Sequence, residues 1–287
     1  MAPSFTRLVR FKSLDGQIYY GEAGDQWQSD LKGKSVKTFS GLDPFDEKFH
    51  LSNKSATISE VLCPLESVPI GIGIGLNYRQ HAEEAGVRLT CFLRLVEGHH
   101  THVFTDTLAG PFEDVPVNPD AHFLDYEGEL TLIIGKDIKD LTEQDDPLDY
   151  VLGYTVGNDV SSRYWQRAPR SGGQYSLAKS FDKFGPIGPV IASLKAVGNP
   201  EDLKLRTWVN GELRQESSTD DLIIKIKEII RHLSKGTTLR KGTYIMTGTP
   251  SGVAAFMKPP RWLQDGDVVE VEIEKIGKIA NKMVFRK

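Results

Sequence analysis

The stretch "LDYEGELTLIIG" (residues 124–135) alternates apolar with other side chains, and this period of two predicts a β-strand. Glu127 and Glu129 stand two apart, and residues two apart in a strand project from the same face. Beyond Glu129 the same face continues with Thr131 and Ile133, which indicates the protein interior. Two like charges on a buried face repel, and they take up protons unless a cation neutralises them. The strand therefore predicts buried carboxylates that need a cation.

A third acid follows in the next apolar segment. "PLDYVLGYTVGNDVSS" (147–162) predicts a second buried strand, and Asp159 stands where its apolar run ends, so its side chain can reach into a site. Three carboxylates without cysteine or clustered histidine make a hard oxygen site, which suits Mg²⁺, Mn²⁺ or Ca²⁺ rather than zinc. For each acid the alternative is an ordinary surface charge, and the residues alone leave both interpretations open.

The remainder of the chain is also rich in strand signals. Residues 5–23 predict a hairpin, 67–78 a buried strand, and 265–285 a half-exposed antiparallel strand. A short helix is expected over 79–86, and the most convincing helix lies within 220–242, where these apolar residues recur at intervals of three and four: Leu222, Ile223, Ile226, Ile229, Ile230 and Leu233. Strands without regular intervening helices exclude a doubly wound sheet and predict a mainly β (α+β) fold.

The composition of the chain argues against some classes of function. The chain has 287 residues, of which 39% are hydrophobic and 26% charged, and this is typical of a globular protein with one large and one small domain. A net charge of -4 and a pI near 6.0 provide no basic field for nucleic acid. No apolar run approaches the ~20 residues of a membrane helix. We therefore expect neither a nucleic-acid nor a membrane partner.

The N-terminus and the cysteines bear on location. The first residues lack the apolar segment of a secretory signal. Arg7, Arg10 and Lys12 would suit a short transit peptide, but the turn residues that follow favour an ordinary first strand. Cys63 and Cys91 form no metal pattern, and disulfides are not expected. A cytoplasmic location is predicted, with a mitochondrial one as the alternative.

Three short motifs do not define sites on their own. "GIGIGLN" (71–77) lacks the GxGxxG spacing of a dinucleotide loop. "TGTPSG" (247–252) has no lysine in the position that a phosphate-binding loop requires. "GHHTH" (98–102) offers histidines that would bind a metal only opportunistically.

Longer motifs carry a family resemblance. "GIGLNYRQHAEEAG", "LAGPFEDVPVNPDAHFLDYEGELTLIIGK", "VLGYTVGNDVSSRYWQ", "AKSFDKFGPIGP" and "TGTPSGV" occur in family order over roughly residues 67–287. The chain resembles the fumarylacetoacetate hydrolase family, in particular its short acylpyruvase and oxaloacetate decarboxylase branch. The resemblance implies a mixed β-roll, usually a homodimer, with a small N-terminal β domain (1–66) before the catalytic domain (67–287).

The resemblance also implies the metal site. Glu127, Glu129 and Asp159 match the family's metal-binding carboxylates, with Mg²⁺ or Mn²⁺ as the expected ion. Lys179 in "AKSFD" matches the active-site lysine. A cation beside three carboxylates balances their charge and can stabilise a developing enolate.

The remaining roles are implied in the same way. Arg163 and Gln166 resemble substrate-binding residues, and arginine suits a carboxylate because it donates two parallel hydrogen bonds. Thr249 matches a position that contacts the substrate carboxylate. His81 and Glu84 match the catalytic pair; their spacing of three brings them together on a helix, where the glutamate orients the histidine as a base that activates water.

The expected substrate is a small 2-oxo acid, whose reaction passes through an enolate. Hydrolysis of a C–C bond in an acylpyruvate, or decarboxylation of oxaloacetate, is the first expectation, and tautomerisation is the alternative, since one site supports all three. The chain departs from the family over roughly 87–108, where Asp106 stands in place of an expected lysine and Arg94 is a candidate substitute. A metal-binding scaffold with weak catalysis is therefore a further hypothesis.

Overall fold

The computed structural model describes residues 4–25, 30–87 and 100–286. Its strands are β1 (Arg7–Ser13), β2 (Ile18–Glu22), β3 (Ser35–Phe39), β4 (Leu51–Val61), β5 (Gly71–Ile74), β6 (His100–Val103), β7 (Leu108–Ala109), β8 (Val115–Val117), β9 (Leu124–Asp125), β10 (Gly128–Ile134), β11 (Val151–Asn158), β12 (Ser161–Ser162), β13 (Gly185–Ala192), β14 (Lys204–Val209), β15 (Glu212–Ser218), β16 (Tyr244–Met246), β17 (Val268–Ile273) and β18 (Gly277–Phe285).

The helices within these ranges are short. They are α1 (Arg79–Glu84), α2 (Arg163–Gln166), α3 (Ser176–Lys179), α4 (Leu194–Val197) and α5 (Ile226–Ser234), with 3-10 turns at Thr105–Thr107, Pro147–Tyr150, Thr219–Asp221 and Ala254–Phe256. None of the described helices is long and apolar enough to cross a membrane. The mainly β fold that the sequence predicts is confirmed.

Most strands belong to one large sheet. Its hydrogen-bonded order is β2-β3-β4-β1-β13-β11-β10-β16-β5-β6, and β7 adds to β13 in parallel. Phe39 on β3 and Val103 on β6 belong to the same buried cluster although they lie near opposite ends of this order. Because neighbouring strands are about 4.8 Å apart, a flat sheet would separate these residues by tens of ångströms. The sheet is therefore curled around this cluster, as in a roll.

A second sheet packs on the outer face of the first. Its order is β15-β14-β17-β18-β8, and β14, β17 and β18 contact β10, β11 and β13. Leu130 and Leu132 of β10 face this sheet, while Ile133 on the other face joins the enclosed cluster. β10 is therefore buried on both faces, which explains why a segment with two glutamates can lie inside the protein.

The N-terminal strands continue the large sheet. β1 and β2 form the predicted hairpin, with Leu8 opposite Glu22 and Lys12 opposite Ile18. β1 also pairs with β13, where Arg7 lies opposite Ala192. The boundary between domains at residue 66 stays a prediction, and hydrogen bonds cross it through this pairing.

The predicted helix within 220–242 begins later than its apolar pattern indicates. α5 starts at Ile226, because Leu222 forms a β-bridge with Tyr78 and the Ile223 N–H donates to the Asn77 carbonyl oxygen (2.8 Å). Asn77 also accepts from the Ile224 N–H through Oδ1 (2.8 Å). The first two apolar residues of the pattern therefore lie in an extended segment against the start of α1, where Leu222 is buried and Ile223 half-buried.

Candidate active site

The three predicted carboxylates meet at the ends of two paired strands. Glu129 lies on β10, Glu127 directly precedes it, and Asp159 directly follows β11. The Asp159 N–H donates to the Glu127 carbonyl oxygen (2.9 Å), and the Glu127 N–H donates to Asn158 Oδ1 (3.0 Å). One carboxylate oxygen from each acid lies within 4.8 Å of the others, and all three residues are buried. The register of β10 and β11 thus brings them together.

Two cations contact Glu127 from opposite sides. Lys179 Nζ donates to Glu127 Oε2 (2.7 Å) and to Ser161 Oγ (2.9 Å), and it also contacts Asp159. Arg163 Nη2 forms an ion pair with Glu127 Oε1 (2.6 Å). Burial raises the pKa of Glu127, but Lys179 and Arg163 outweigh it and bring this pKa down to about 2. Glu127 is therefore a fixed negative charge.

The other two carboxylates are less well compensated. Glu129 accepts from the Gly248 N–H (2.6 Å), yet burial and the charges of Asp159 and Glu127 raise its pKa well above the usual range. Burial likewise raises the pKa of Asp159, although Lys179 opposes the shift. These directions indicate negative charge that the surrounding side chains do not neutralise.

Asp125 is a fourth buried acid in the same site, and we did not single it out in the sequence. Its Oδ2 accepts from Arg163 Nε (2.8 Å) and from the Ala255 N–H (3.0 Å), and its Oδ1 accepts from the Ala254 N–H (2.8 Å). The signal was present, because Asp125, Glu127 and Glu129 stand at a period of two. Asp125 orients Arg163 and fixes the turn that begins at Ala254.

Counting charges tests whether a metal fits. The connected buried side chains described here comprise four carboxylates and two cations, namely Asp125, Glu127, Glu129, Asp159, Arg163 and Lys179. When all four acids are ionised, the difference of two negative charges equals the charge of one divalent cation. The atoms that could coordinate a metal are carboxylate oxygens, which hard ions such as Mg²⁺ prefer as ligands. The residues therefore fit a divalent metal held by Glu127, Glu129 and Asp159.

Lys179 has no spare donor in this arrangement. An ammonium has three N–H groups, and here they contact Glu127, Asp159 and Ser161. Burial lowers the pKa of Lys179, but Asp159 and Glu127 raise it above its usual value, so the ammonium stays charged. Lys179 thus supplies positive charge to the cluster, and the direct contact with an enolate that the resemblance implies stays a prediction.

His81 and Glu84 form the expected pair on α1. His81 Nδ1 lies 3.0 Å from Glu84 Oε2, and the Gly252 N–H donates to both oxygens of Glu84 (3.1 and 3.3 Å). The ring of Phe256 meets the His81 ring edge-on with centroids 5.6 Å apart. Because the Glu84 carboxylate accepts from Nδ1, the other ring nitrogen, Nε2, is left as a proton acceptor.

His81 from the pair and Glu127 from the cluster line one cavity of about 440 Å³. Its walls include Glu127, Arg163 and Gln166 from the cluster side and His81 and Phe256 from the α1 side, together with Leu76, Ala85, Val87, Arg167, Ala168, Tyr175 and Ala255. Gln166 accepts from Arg163 Nη1 (2.6 Å), as expected for a neighbouring pair. A small ligand in this cavity would contact a base and a buried cation at once.

Thr249 lies beside the cavity rather than on its wall. Its hydroxyl donates to the Gly128 carbonyl oxygen (3.1 Å) and accepts from Gln215 Nε2 (2.8 Å). Gln215 on β15 also accepts from the Gly128 N–H (3.0 Å) and was not found from the sequence. The predicted contact of Thr249 with substrate stays a prediction; in this structure its hydroxyl fastens β10 to the 247–252 turn.

The glycine motifs take structural roles around the site. A Cβ on Gly71 would lie 2.2 Å from the Tyr244 ring, and one on Gly73 would lie 3.1 Å from Asp159 Oδ2. The turn "TGTPSG" offers main-chain N–H groups of Gly248 to Glu129 and of Gly252 to Glu84. Gly71 therefore makes room for the Tyr244 ring, whereas the other three glycines bring main chain close to the acids.

The region of departure is described only in part. Arg94 lies outside the described residues, whereas Asp106 lies in the 3-10 turn Thr105–Thr107. From "GHHTH", His100 and His102 lie on β6, with ring centroids 5.4 Å apart. Among the described residues, the carboxylates Glu127, Glu129 and Asp159 are the group whose spacing would suit a metal ion, and these histidines form no such group.

The family model for the C-terminal domain of fumarylacetoacetate hydrolase matches residues 71–284. The chain belongs to the fumarylacetoacetate hydrolase family. The predicted family and fold are therefore confirmed, and the site described above lies within the matched residues.

Two of three relatives of this chain carry tautomerase names. A rat protein named oxaloacetate tautomerase Fahd2a, mitochondrial, is 37% identical over 223 residues, which are 78% of this chain and 69% of the relative. The Xenopus laevis protein named oxaloacetate tautomerase fahd2, mitochondrial, is 37% identical over 83% of this chain and 72% of the relative. A Dictyostelium discoideum homologue of fumarylacetoacetate hydrolase domain-containing protein 2 is 36% identical over 86% and 85%, respectively.

Solved structures of the family extend the likeness over nearly the whole chain. The 2-hydroxyhepta-2,4-diene-1,7-dioate isomerase from Mycobacterium marinum superposes with a TM-score of 0.77 at 29% identity, covering 98% of this chain and 99% of that one. The 5-carboxymethyl-2-hydroxymuconate delta-isomerase from Mycobacterium smegmatis gives the same TM-score and identity, covering 98% and 100%. The rat and Xenopus relatives are thus named as tautomerases and these two solved structures as isomerases, whereas the Dictyostelium relative is named only for its fumarylacetoacetate hydrolase domain.

Proposed function

We propose that this protein catalyses keto–enol tautomerisation of a small 2-oxo acid, with oxaloacetate as the first substrate to test. The observation that supports this most directly is that His81, which is hydrogen-bonded to Glu84, lines the same cavity as Glu127 of the buried carboxylate cluster. Tautomerisation requires only a base for carbon-bound hydrogen and a positive environment for the enolate oxygen. The names of the rat and Xenopus relatives agree with this reaction.

The cluster would hold one divalent cation, Mg²⁺ or Mn²⁺, between Glu127, Glu129 and Asp159. When bound, such an ion acts as a Lewis acid that polarises the carbonyl of the 2-oxo acid. Lys179 and Arg163 keep Glu127 ionised, so the cluster is ready to accept a cation at neutral pH. The uncompensated charge on Glu129 and Asp159 supplies the attraction.

His81 is the base in this proposal. Nε2 removes a proton from the carbon next to the keto group, and the electron pair of the C–H bond becomes the C=C bond of the enol. Glu84 stabilises the resulting imidazolium through its bond to Nδ1. The imidazolium returns the proton to the former carbonyl oxygen, so no water, oxidant or other reactant is consumed. Arg163 and Gln166 orient the acid group of the substrate.

Hydrolysis and decarboxylation would use the same cavity, but each would break a C–C bond of the substrate and release a second product. Hydrolysis needs His81 to activate a water molecule, and decarboxylation releases CO₂. The scaffold hypothesis predicts metal binding without turnover. The cluster, the His81–Glu84 pair and their common cavity favour an enzyme, because buried charges are costly to retain for structure alone.

The test is a product-resolved assay with and without Mg²⁺. Enol oxaloacetate is mixed with enzyme, and its ultraviolet absorbance is followed while pyruvate and CO₂ are measured separately; acetylpyruvate is assayed in parallel for acetate and pyruvate. We expect faster enol–keto interconversion with little pyruvate formation. Pyruvate released as fast as enol is lost would identify a decarboxylase, and acetate from acetylpyruvate a hydrolase. Metal binding without any turnover would favour the scaffold.

The location follows the same comparison. The rat and Xenopus relatives are named as mitochondrial, which favours the mitochondrial alternative for this chain. Fractionation of cells that express the untagged full chain would test it, and co-fractionation with cytosolic markers alone would contradict it.

A further inference from the structure

Arg167 is the cation at the cavity wall whose charge has no acidic partner. It lines the same cavity as Arg163 and Gln166, is solvent-exposed, and follows directly after α2. In the ranges 4–25, 30–87 and 100–286, no carboxylate lies within ion-pair distance of its guanidinium. A positive charge that faces a ligand cavity without a partner attracts an anionic group.

The other cations around the cavity are already engaged. Arg163 contacts Asp125, Glu127 and Gln166, and Lys179 contacts three acceptors within the cluster. A 2-oxo acid with one carboxylate would place it at the cluster beside Arg163. A second carboxylate at the far end of the same molecule would still need a cation, and among the described residues that line the cavity Arg167 is the one available.

Aromatic contacts hold Arg167 in place. Its guanidinium carbon lies 5.5 Å from the centroid of the Trp262 ring and 5.9 Å from that of Phe123. Such cation–π contacts favour this position of the side chain and leave its N–H groups available for hydrogen bonds. A planar guanidinium held in this way suits two parallel bonds to a carboxylate.

We propose that Arg167 binds the distal carboxylate of the substrate and thereby selects dicarboxylic 2-oxo acids over monocarboxylic ones. This inference rests on the proposed function and adds the residue that determines substrate class. Arg163 and the metal-type cluster would serve the 2-oxo acid end that all such substrates share, whereas Arg167 would serve only the distal end. Loss of Arg167 should therefore affect substrates according to their charge.

The test compares Arg167→Gln with a matched control, Arg170→Gln. Arg170 follows three residues later and also stacks on an aromatic ring (3.8 Å from the Tyr164 centroid), but it does not line the cavity. With Mg²⁺ present, Arg167→Gln should raise the KM for oxaloacetate by about 10- to 100-fold, as expected for a lost charged hydrogen bond. The KM for phenylpyruvate and the inhibition constant of oxalate, which lacks a distal group, should change by less than about threefold on this scale. Arg170→Gln should leave all three values unchanged.

Other outcomes separate the two proposals. Equal effects of Arg167→Gln on oxaloacetate and phenylpyruvate, or an unchanged KM for oxaloacetate, would overturn the role of Arg167. If wild type converts neither substrate, the proposed reaction is wrong, and calorimetric binding of fresh oxaloacetate and of phenylpyruvate still tests the distal site. The role of Arg167 would then be supported if wild type binds oxaloacetate more tightly than phenylpyruvate, Arg167→Gln abolishes this difference and Arg167→Lys partly restores it. Binding that neither substitution changes would exclude that role.

Discussion

The two walls of the cavity are built in different ways. The strand wall presents Glu127 to the cavity, with Glu129 and Asp159 beside it at the paired ends of β10 and β11, where main-chain hydrogen bonds fix their spacing. On the other wall, His81 and Glu84 lie on α1, a helix of six residues. Isolated helices shorter than about 12 residues are marginal in water, so α1 depends on tertiary contacts. Its Ala82 packs beside Leu76, Val87, Ile223 and Ile224.

This difference indicates that binding and proton transfer depend on different walls. The strand wall concentrates charge that the surrounding side chains leave uncompensated, so it is suited to binding a cation and the acid end of a substrate. The helix wall presents a single proton acceptor, Nε2 of His81, whose ring is held by Glu84 and Phe256, and Glu84 in turn accepts from the Gly252 N–H. Substitutions on the strand wall should therefore abolish binding and turnover together, whereas those on the helix wall should reduce turnover with binding retained.

The largest effect is expected from Glu129→Gln on the strand wall. The change keeps the shape of the side chain and removes one of three metal-binding charges. We expect kcat/KM for oxaloacetate at saturating Mg²⁺ to fall by at least ~10³-fold, since metal polarisation contributes several kcal/mol. Mg²⁺ should raise the melting temperature of wild type but not of this variant.

Stability without metal provides the control for this change. Burial and neighbouring acids disfavour the charge on Glu129. Metal-free Glu129→Gln should therefore be at least as stable as metal-free wild type in thermal melts. Glu216→Gln, which removes an exposed partner of Arg206, should leave activity and the Mg²⁺ effect intact. Full activity of Glu129→Gln, or an unchanged Mg²⁺ effect, would contradict the assignment.

His81→Gln should have the next largest effect and should separate the walls. Removal of a general base reduces turnover by ~10²–10⁴-fold. The Mg²⁺-induced shift in melting temperature and the calorimetric affinity for oxalate should stay near wild-type values, because both depend on the strand wall. A parallel loss of oxalate affinity would show that His81 also shapes the binding site, and the contrast between the walls would fail.

Asp125→Asn should produce an intermediate effect, because Asp125 touches both walls. On the strand wall it accepts a hydrogen bond from Arg163. On the helix wall it holds the Ala254–Phe256 turn, whose Phe256 ring contacts His81. Supporting residues of this kind typically contribute 10–100-fold to affinity or activity, roughly the change expected here. We expect a higher KM together with a lower kcat, in protein whose circular dichroism is unchanged. A change in kcat alone would indicate that Arg163 does not rely on Asp125.

The smallest effect is expected for Phe256→Leu on the helix wall. An edge-on aromatic contact contributes about 0.5–1.5 kcal/mol, so kcat should fall by roughly 2- to 10-fold. Steady-state kinetics would measure it, with Phe112→Leu as the control, since Phe112 is exposed and does not line this cavity. A loss as large as that of His81→Gln would mean that the ring acts on the substrate directly.

Much of the strand wall could be predicted from the sequence. A period of two places Glu127 and Glu129 on one face, and the next residues on that face, Thr131 and Ile133, are buried as the pattern indicates. Local sequence patterns also predicted the hairpin of β1 and β2 and the short helix α1. The start of α5 did not, because the pairing of Leu222 with Tyr78 replaces a helical turn that its apolar period favours.

Sequence by itself therefore determined which side chains share a face and that their charges need a cation. Tertiary structure decided their partners: Lys179 reaches Glu127 across 52 positions of sequence, Asp125 holds main-chain groups 129 and 130 positions away, and Arg167 is left without an acid in the described chain. Local periodicity fixes the direction of a side chain relative to its own strand or helix. Contacts between distant segments depend on how the sheet curls and pairs, and no local pattern encodes that geometry.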